Sequence, residues 1–216
     1  MESRRDLSVS YNKLGDIRQA QGDLAGAKAF YEQCLAVSER LAAETGTPEA
    51  RRYLFVSYGR LGDISQAQGD LAGAKAFYEK YLAICEQLMA ETNTVEMRRD
   101  LSVSYNKLGD ISQEQGDLAG AKAFYEKCLA ICERLAAETS AVETRRDLSI
   151  SYERLGDISQ AQGDLAGAEA FYKKGFAICE CQCQPENVNF RRNKMSFFGD
   201  QHSSLYSPFQ QLHLPA

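Results

Sequence analysis

The sequence has no tryptophan, two histidines and four prolines among 216 residues. It also lacks a phosphate-binding glycine-rich loop, an HExxH motif and a serine-centred nucleophile elbow, which are common marks of enzymes. No apolar run approaches the roughly 18 residues that span a bilayer. The opening stretch MESRRDLSVSYN lacks the apolar core of a signal peptide. We therefore expect a cytoplasmic protein that is not an enzyme and needs no cofactor.

Acidic residues slightly outnumber basic ones, 30 to 25. The formal net charge is −5 and the pI is near 5.2. Proteins that bind nucleic acid usually carry a strongly basic surface. The charge balance therefore argues against a nucleic-acid or membrane partner.

A repeat of 47 residues dominates the chain, as the spacing of the arginine pairs shows. These pairs are Arg4-Arg5, Arg51-Arg52, Arg98-Arg99 and Arg145-Arg146. The segments LGD, QGDLAGA and FY recur at the same step without insertion or deletion. A fixed period of this length is typical of solenoid proteins, in which each copy packs only on its neighbours.

The pattern within each copy predicts two amphipathic helices joined by a tight turn. In the third copy, Leu101, Tyr105, Leu108 and Ile111 are spaced as on one helix face. The following Gly-Asp dipeptide supplies a helix C-terminal glycine and then an N-cap. The second helix has a wider apolar face and should contact both its own first helix and the next copy. We call the two helices of a copy helix A and helix B.

Start signals also appear between copies. Thr47-Pro48-Glu49 has the order of an N-cap, a first-turn proline and a first-turn acid. Ser140 and Glu143 have the spacing of a capping box. The glycine in the middle of each helix A should allow close crossing of helices, with an alanine of helix B such as Ala27 as its partner.

The seven cysteines favour small buried side chains over a disulfide or metal framework. Five fall among apolar residues of helix B, where sister copies substitute Ser38, Tyr81 or Gly175. Cys179-x-Cys181-x-Cys183 could approach His202 or His213, but this spacing matches no common zinc motif. We expect no metal site.

These features together resemble the tetratricopeptide repeat. The family's helix A carries a large aromatic followed by Leu-Gly, here Tyr11 and Leu14-Gly15. Its helix B carries a small residue, an aromatic and a small residue, here Ala27, Tyr31 and Cys34. The resemblance covers roughly residues 4–180, although the family's usual repeat is shorter and ends helix B with a proline. It implies an all-α, right-handed solenoid of antiparallel helix pairs. The tyrosines at the positions of Tyr11 and Tyr31 should lie in the core of every copy.

The resemblance also implies that helix A lines a concave groove for a peptide or partner helix. Four rows of residues lie away from the core stripe of helix A. The apolar row is Val9, Val56, Val103 and Ile150; the polar row is Asn12, Asn106 and Glu153, with Gly59 in the second copy; the aspartate row is Asp16, Asp63, Asp110 and Asp157; the glutamine row is Gln19, Gln66, Gln113 and Gln160. The aspartate row would favour a basic or amide-rich partner. Alternatively, the aspartates and the arginine pairs neutralise each other and nearby helix ends, as solvated ion pairs of small individual value.

Residues 1–183 form the predicted array, with copies at about 4–50, 51–97, 98–144 and 145–183. Residues 184–216 lack the period, and we expect a disordered or loosely packed tail that could cover the last helix through Phe190, Phe197 and Phe198. The outer faces of the array are predicted to associate end to end. A protein-interaction scaffold is the first functional hypothesis. The alternatives are a sensor or regulatory segment of a larger signalling protein and a structural spacer.

Overall fold

The computed structural model describes residues 2–139 and 141–182, and every regular element in these ranges is an α-helix. The helices are α1 (Glu2–Ala20), α2 (Leu24–Thr45), α3 (Pro48–Ala67), α4 (Leu71–Thr92), α5 (Val95–Glu114), α6 (Leu118–Glu138), α7 (Val142–Ala161) and α8 (Leu165–Gln182). Odd-numbered helices are helix A and even-numbered helices are helix B. The predicted all-α solenoid of antiparallel helix pairs is confirmed. Within the described ranges, no helix is long and apolar enough to cross a membrane.

The turn within each copy follows the Gly-Asp signal. Gly22 adopts a φ of 80°, in the left-handed region that favours glycine, and the three equivalent glycines have φ between 78° and 82°. Asp23 then caps α2, because its Oδ1 accepts a hydrogen bond from the Gly26 backbone N–H at 2.8 Å. The sequence correctly predicts where helix B starts.

The links between copies use a different cap. Thr47 accepts a hydrogen bond from Ala50 N, and Pro48 occupies the first turn of α3, as predicted. Ser140, the first residue of the predicted capping box, lies outside the described residues. The N-cap of α7 is Ala141, which has no side chain able to cap. The chain enters this helix one residue later than the capping-box pattern requires.

Helices α2, α4 and α6 each pack between their own helix A and helix A of the next copy, as expected, and α8 packs on α7. At the first junction, Ala27 and Tyr31 of α2 form a cluster with Leu61 and Ile64 of α3, all fully buried. The next two junctions repeat this cluster with Ala74, Tyr78, Leu108 and Ile111, and with Ala121, Tyr125, Leu155 and Ile158. The core is therefore continuous from copy to copy rather than confined within each one.

The glycine inside helix A makes room for a tyrosine rather than for the predicted alanine. A Cβ added to Gly62 would lie 2.3 Å from Tyr78 Cε1, and the same contact recurs in all four copies. Ala27 instead packs towards the next copy. The predicted small-against-small crossing is therefore wrong in its partner, and the glycine is needed because a large ring lies flat against the helix.

The second copy packs differently from its sisters. Phe55 and Tyr81 stand where other copies have serine and cysteine or glycine, and their rings stack with centroids 4.1 Å apart. Gly59 faces the same tyrosine, because an added Cβ would lie 3.2 Å from Tyr81 Cε2. Three substitutions in one copy thus form a single aromatic contact.

The cysteines predicted to be buried are buried in the first three copies, and Cys179 is half-buried. Burial raises the pKa of the Cys85 thiol to about 12, with a smaller effect of Asp100. The described residues contain no cluster of potential metal ligands. Cys183, both histidines and the aromatic residues of the tail lie outside the described residues, as does the Cys181 side chain, so the expectations for them remain predictions.

Candidate functional site

An exposed apolar row runs along the helices A. Val9, Val56 and Val103 retain 38%, 41% and 40% of their surface accessible, and Ile150 is half-buried. The three valines lie at equivalent positions in successive copies and keep nearly equal exposure. Valine is also a weaker helix former than alanine or leucine. Neither core packing nor helix stability therefore accounts for these residues.

The polar row one turn further along is less uniform. Asn12, Asn106 and Glu153 are half-buried. In the second copy the position is Gly59, which is tied to the local packing of Tyr81. This row therefore carries amide side chains in two copies and an acid in the fourth.

The aspartate row is bound to the core tyrosines of helix B. The Tyr31 hydroxyl donates to Asp16 Oδ1 at 2.7 Å, and the equivalent bond is 2.7 Å or 2.8 Å in the other copies. The same hydroxyl lies 3.0 Å from Gln19 Oε1. A hydroxyl has one hydrogen to donate, and a carboxylate is the stronger acceptor. Each aspartate thus positions the helix B tyrosine of its own copy, which is buried in the first three copies and half-buried in the fourth.

A basic residue of the next copy pairs with each of the first three aspartates. Arg60 lies 3.3 Å from Asp16, Lys107 lies 2.7 Å from Asp63, and Arg154 lies 2.9 Å from Asp110. This basic row was not predicted from the sequence, although the sequence contains a signal for it. The residue before each LGD triplet is lysine or arginine in every copy. Asp157 has no such ion pair among the described residues.

The arginine pairs form ion pairs with acidic residues outside the aspartate row. In the first three copies the first arginine of a pair contacts a glutamate near the end of helix B in its own copy, as Arg51 does with Glu91 at 2.6 Å. In the second and third copies the second arginine reaches helix A of the next copy, as Arg99 does with Asp147 at 2.7 Å. The alternative in which the arginine pairs and the aspartate row neutralise each other is therefore wrong in its pairing. Both sets form ion pairs, but with different partners.

A cleft of about 540 Å³ opens where the third and fourth copies meet. Its lining is Asp110, Gln113, Glu114 and Arg154. Glu114 replaces the alanine of the other copies and accepts a hydrogen bond from Gln66 Nε2 at 2.5 Å. The cleft thus joins the aspartate and glutamine rows to an additional acid.

Burial, reinforced by the carboxylates of the aspartate row, raises the pKa of Tyr31 and Tyr125 above the ordinary value of tyrosine. The same direction holds for Tyr58, Tyr78, Tyr81, Tyr105, Tyr152 and Tyr172, in each case with burial as the largest cause. The folded chain therefore holds these phenols neutral.

We expect most of the 11 tyrosines to resist alkaline titration until the chain unfolds. Because the folded pKa is raised, the stabilisation is complete below about pH 10, where unfolded tyrosine ionises. It is lost as the pH rises towards the folded value, which is about 12 for Tyr152. Tyrosinate absorbance and helical circular dichroism should change together in this window. A urea-unfolded sample is the control, and a folded chain whose tyrosines all titrate at the ordinary pKa would contradict the expectation.

Comparisons with known proteins agree on one architecture. BtubC (BKLC) from P. vanneervenii superposes with a TM-score of 0.65 at 20% identity, covering 99% of this chain and 70% of that one. The apo form of RapI gives 0.68 at 14% identity, and this chain, 94% covered, spans 51% of its length. A putative kinesin light chain with nearly identical TPR-like repeats from Podosopora anserina gives 0.65 at 21% identity, covering 94% and 96% of the two chains. At these identities, the likeness shows the fold alone.

Among curated proteins, no significant match to the sequence is found. The family model of the tetratricopeptide repeat matches residues 6–87 and 100–180, and each match spans most of two consecutive copies. The helix pairs, their junction clusters and the family match agree, and the chain belongs to the tetratricopeptide repeat family.

Proposed function

We propose that the chain is a protein–protein interaction scaffold that holds a peptide or partner helix along helices α1, α3, α5 and α7. Proteins with this fold generally act as such scaffolds and are typically not enzymes. The observation that carries the proposal is the exposed valine row, since an apolar ligand surface is its simplest use. Its repetition at each copy suits a ligand that runs along the array.

We further propose that the bound segment is basic or amide-rich. The aspartate row supports this less strongly than the sequence suggests, because Arg60, Lys107 and Arg154 already pair with three carboxylates. The acidic character is greatest around the third and fourth copies, where Glu114 joins Asp110 in the cleft and Asp157 is exposed. A lysine, arginine or glutamine side chain of the ligand would bind there, while apolar side chains contact the valines.

A random peptide library displayed on phage and selected on the full chain tests this function directly. We expect enriched peptides to combine apolar residues with lysine, arginine, asparagine or glutamine. Their affinity should fall at least about tenfold in a Val9→Glu, Val56→Glu, Val103→Glu variant, because charged side chains would have to be desolvated at the contact. Fluorescence anisotropy of labelled peptides measures the change.

The matched control places the same three charges on helix B. Ala36, Ala83 and Ala130 are exposed at equivalent positions of α2, α4 and α6. The triple Ala→Glu control should bind selected peptides as the parent does. The proposal fails if no peptide is enriched, which would favour the spacer, or if both triple variants bind equally well.

A further inference from the structure

The outer face of α1 is apolar and uncovered by any described residue. Leu14 and Ile17 retain 43% and 54% of their surface accessible. Their counterparts in the second copy, Leu61 and Ile64, are fully buried against α2. The equivalent leucine and isoleucine of the third and fourth copies are at most 1% exposed. The exposed pair therefore has the composition of one half of an internal junction.

The outer face of α8 has the composition of the other half. Ala168 and Tyr172 occupy the positions that Ala27 and Tyr31 have at the first junction. Beside them, Leu165 and Phe176 are 68% and 46% exposed. At internal junctions the residues equivalent to these two are half-buried leucines packed on the cluster, such as Leu71 and Leu82.

We propose that the two faces bind each other between two molecules of this protein, so that α1 of one molecule packs on α8 of another. Leu14 and Ile17 would complete the cluster that Ala168 and Tyr172 begin. The contact would then be a fourth instance of the junction that the chain already makes three times within itself.

Charge supports this occupant over an unrelated apolar partner. Each internal junction pairs an aspartate with a basic residue 44 positions later, as Asp63 does with Lys107. Continued by one step, this register pairs Asp157 of one molecule with Lys13 of another molecule, and both side chains are exposed. A second register pair is a tyrosine that donates to a glutamate of the preceding helix B, as Tyr152 does to Glu133 at 2.7 Å. Its continuation pairs Tyr11 with Glu180.

One residue departs from the internal pattern. Arg18 stands where α3, α5 and α7 have a fully buried serine, for example Ser65. In α1 the Arg18 guanidinium lies 3.7 Å from Asp23 in the adjacent turn, so its charge is directed towards the edge of the face. It should weaken the contact relative to an internal junction, because part of its charge would be desolvated.

The contact is head-to-tail, since it joins two different faces. Sedimentation equilibrium of the full chain should therefore give a weight-average mass that rises above 24.0 kDa with concentration. Ile17→Glu and Leu165→Glu should each hold the chain at the monomer mass. An equal mixture of the two variants should form dimers and nothing larger, because one intact α1 face and one intact α8 face remain. Arg18→Ser should tighten association about tenfold.

Ala36→Glu is the matched control, because it adds the same charge at a helix B position that is exposed in α2, α4 and α6. It should associate as the parent does. A monomeric parent would overturn the proposal and indicate that another segment or partner covers these faces. A mixture of the two variants that stays monomeric would exclude the head-to-tail arrangement, and an Arg18→Ser variant no tighter than the parent would exclude the proposed register.

Discussion

Replacing Ile64 by alanine should lower the free energy of unfolding by about 2–5 kcal/mol, as large-to-small changes in protein cores do. Ile64 is fully buried between Ala27 and Tyr31 of the preceding helix B. Its removal would leave a cavity that two rigid helices cannot close. Because the copies support one another through these junctions, the loss should affect the whole array rather than one helix pair.

Ile17→Ala supplies the internal control for this prediction. Ile17 has the same residue type at the same position of helix A, but it is 54% exposed. Its replacement should change the free energy of unfolding by no more than about 0.5 kcal/mol, as surface changes usually do. Urea unfolding followed by circular dichroism, at low protein concentration to limit self-association, measures both variants. Equal losses of unfolding free energy in the two variants would show that burial at the junction is not the cause of the effect.

The sequence predicts the helices of this chain well because their signals are local. The apolar period identifies helix A and helix B. The Gly-Asp and Thr-Pro-Glu segments specify turns and caps through residues that are neighbours in the sequence. The exception, Ala141, is informative. A capping-box pattern at Ser140 and Glu143 was present, but the helix begins one residue later and its N-cap has no hydrogen-bonding side chain.

The contacts of the candidate site could be predicted only in part, since they depend on distances along the chain that no local pattern specifies. The four groove rows follow from the repeat, yet the bond from Tyr78 to Asp63 and the ion pair from Lys107 to Asp63 span 15 and 44 residues. The packing of α4 on α3 within one copy brings Tyr78 to Asp63, and the packing of the third copy on the second brings Lys107 there. The aspartates therefore have a structural role that a charge count along the sequence does not show.

The second copy illustrates the same limit within the core. Phe55, Gly59 and Tyr81 look like three unrelated departures from the repeat. In the structure they form one stacked contact, in which the glycine accommodates the ring that replaces a cysteine. The core therefore accepts the two larger rings through linked substitutions on two helices rather than position by position.

Gly62→Ala should destabilise the chain by about 3 kcal/mol, although a glycine-to-alanine change inside a helix usually gains up to about 1 kcal/mol. The added Cβ would lie 2.3 Å from Tyr78 Cε1 and 2.6 Å from Cδ1. Tyr78 cannot move away easily, because its ring is fully buried and its hydroxyl donates to Asp63 at 2.7 Å. The steric cost should therefore exceed the gain in helix propensity, and urea unfolding of the single variant measures the balance.

A double-mutant cycle with Tyr78→Leu tests the cause of this loss. Leucine lacks the ring atoms that would meet the new Cβ, so Gly62→Ala in the Leu background should cost less than about 0.5 kcal/mol or become favourable. The coupling between the two positions would then account for most of the effect of the single change. If the two losses simply add, the glycine is required for a reason other than its contact with Tyr78. The glycine–tyrosine contact recurs in all four copies, so the result would apply to each helix pair of the array.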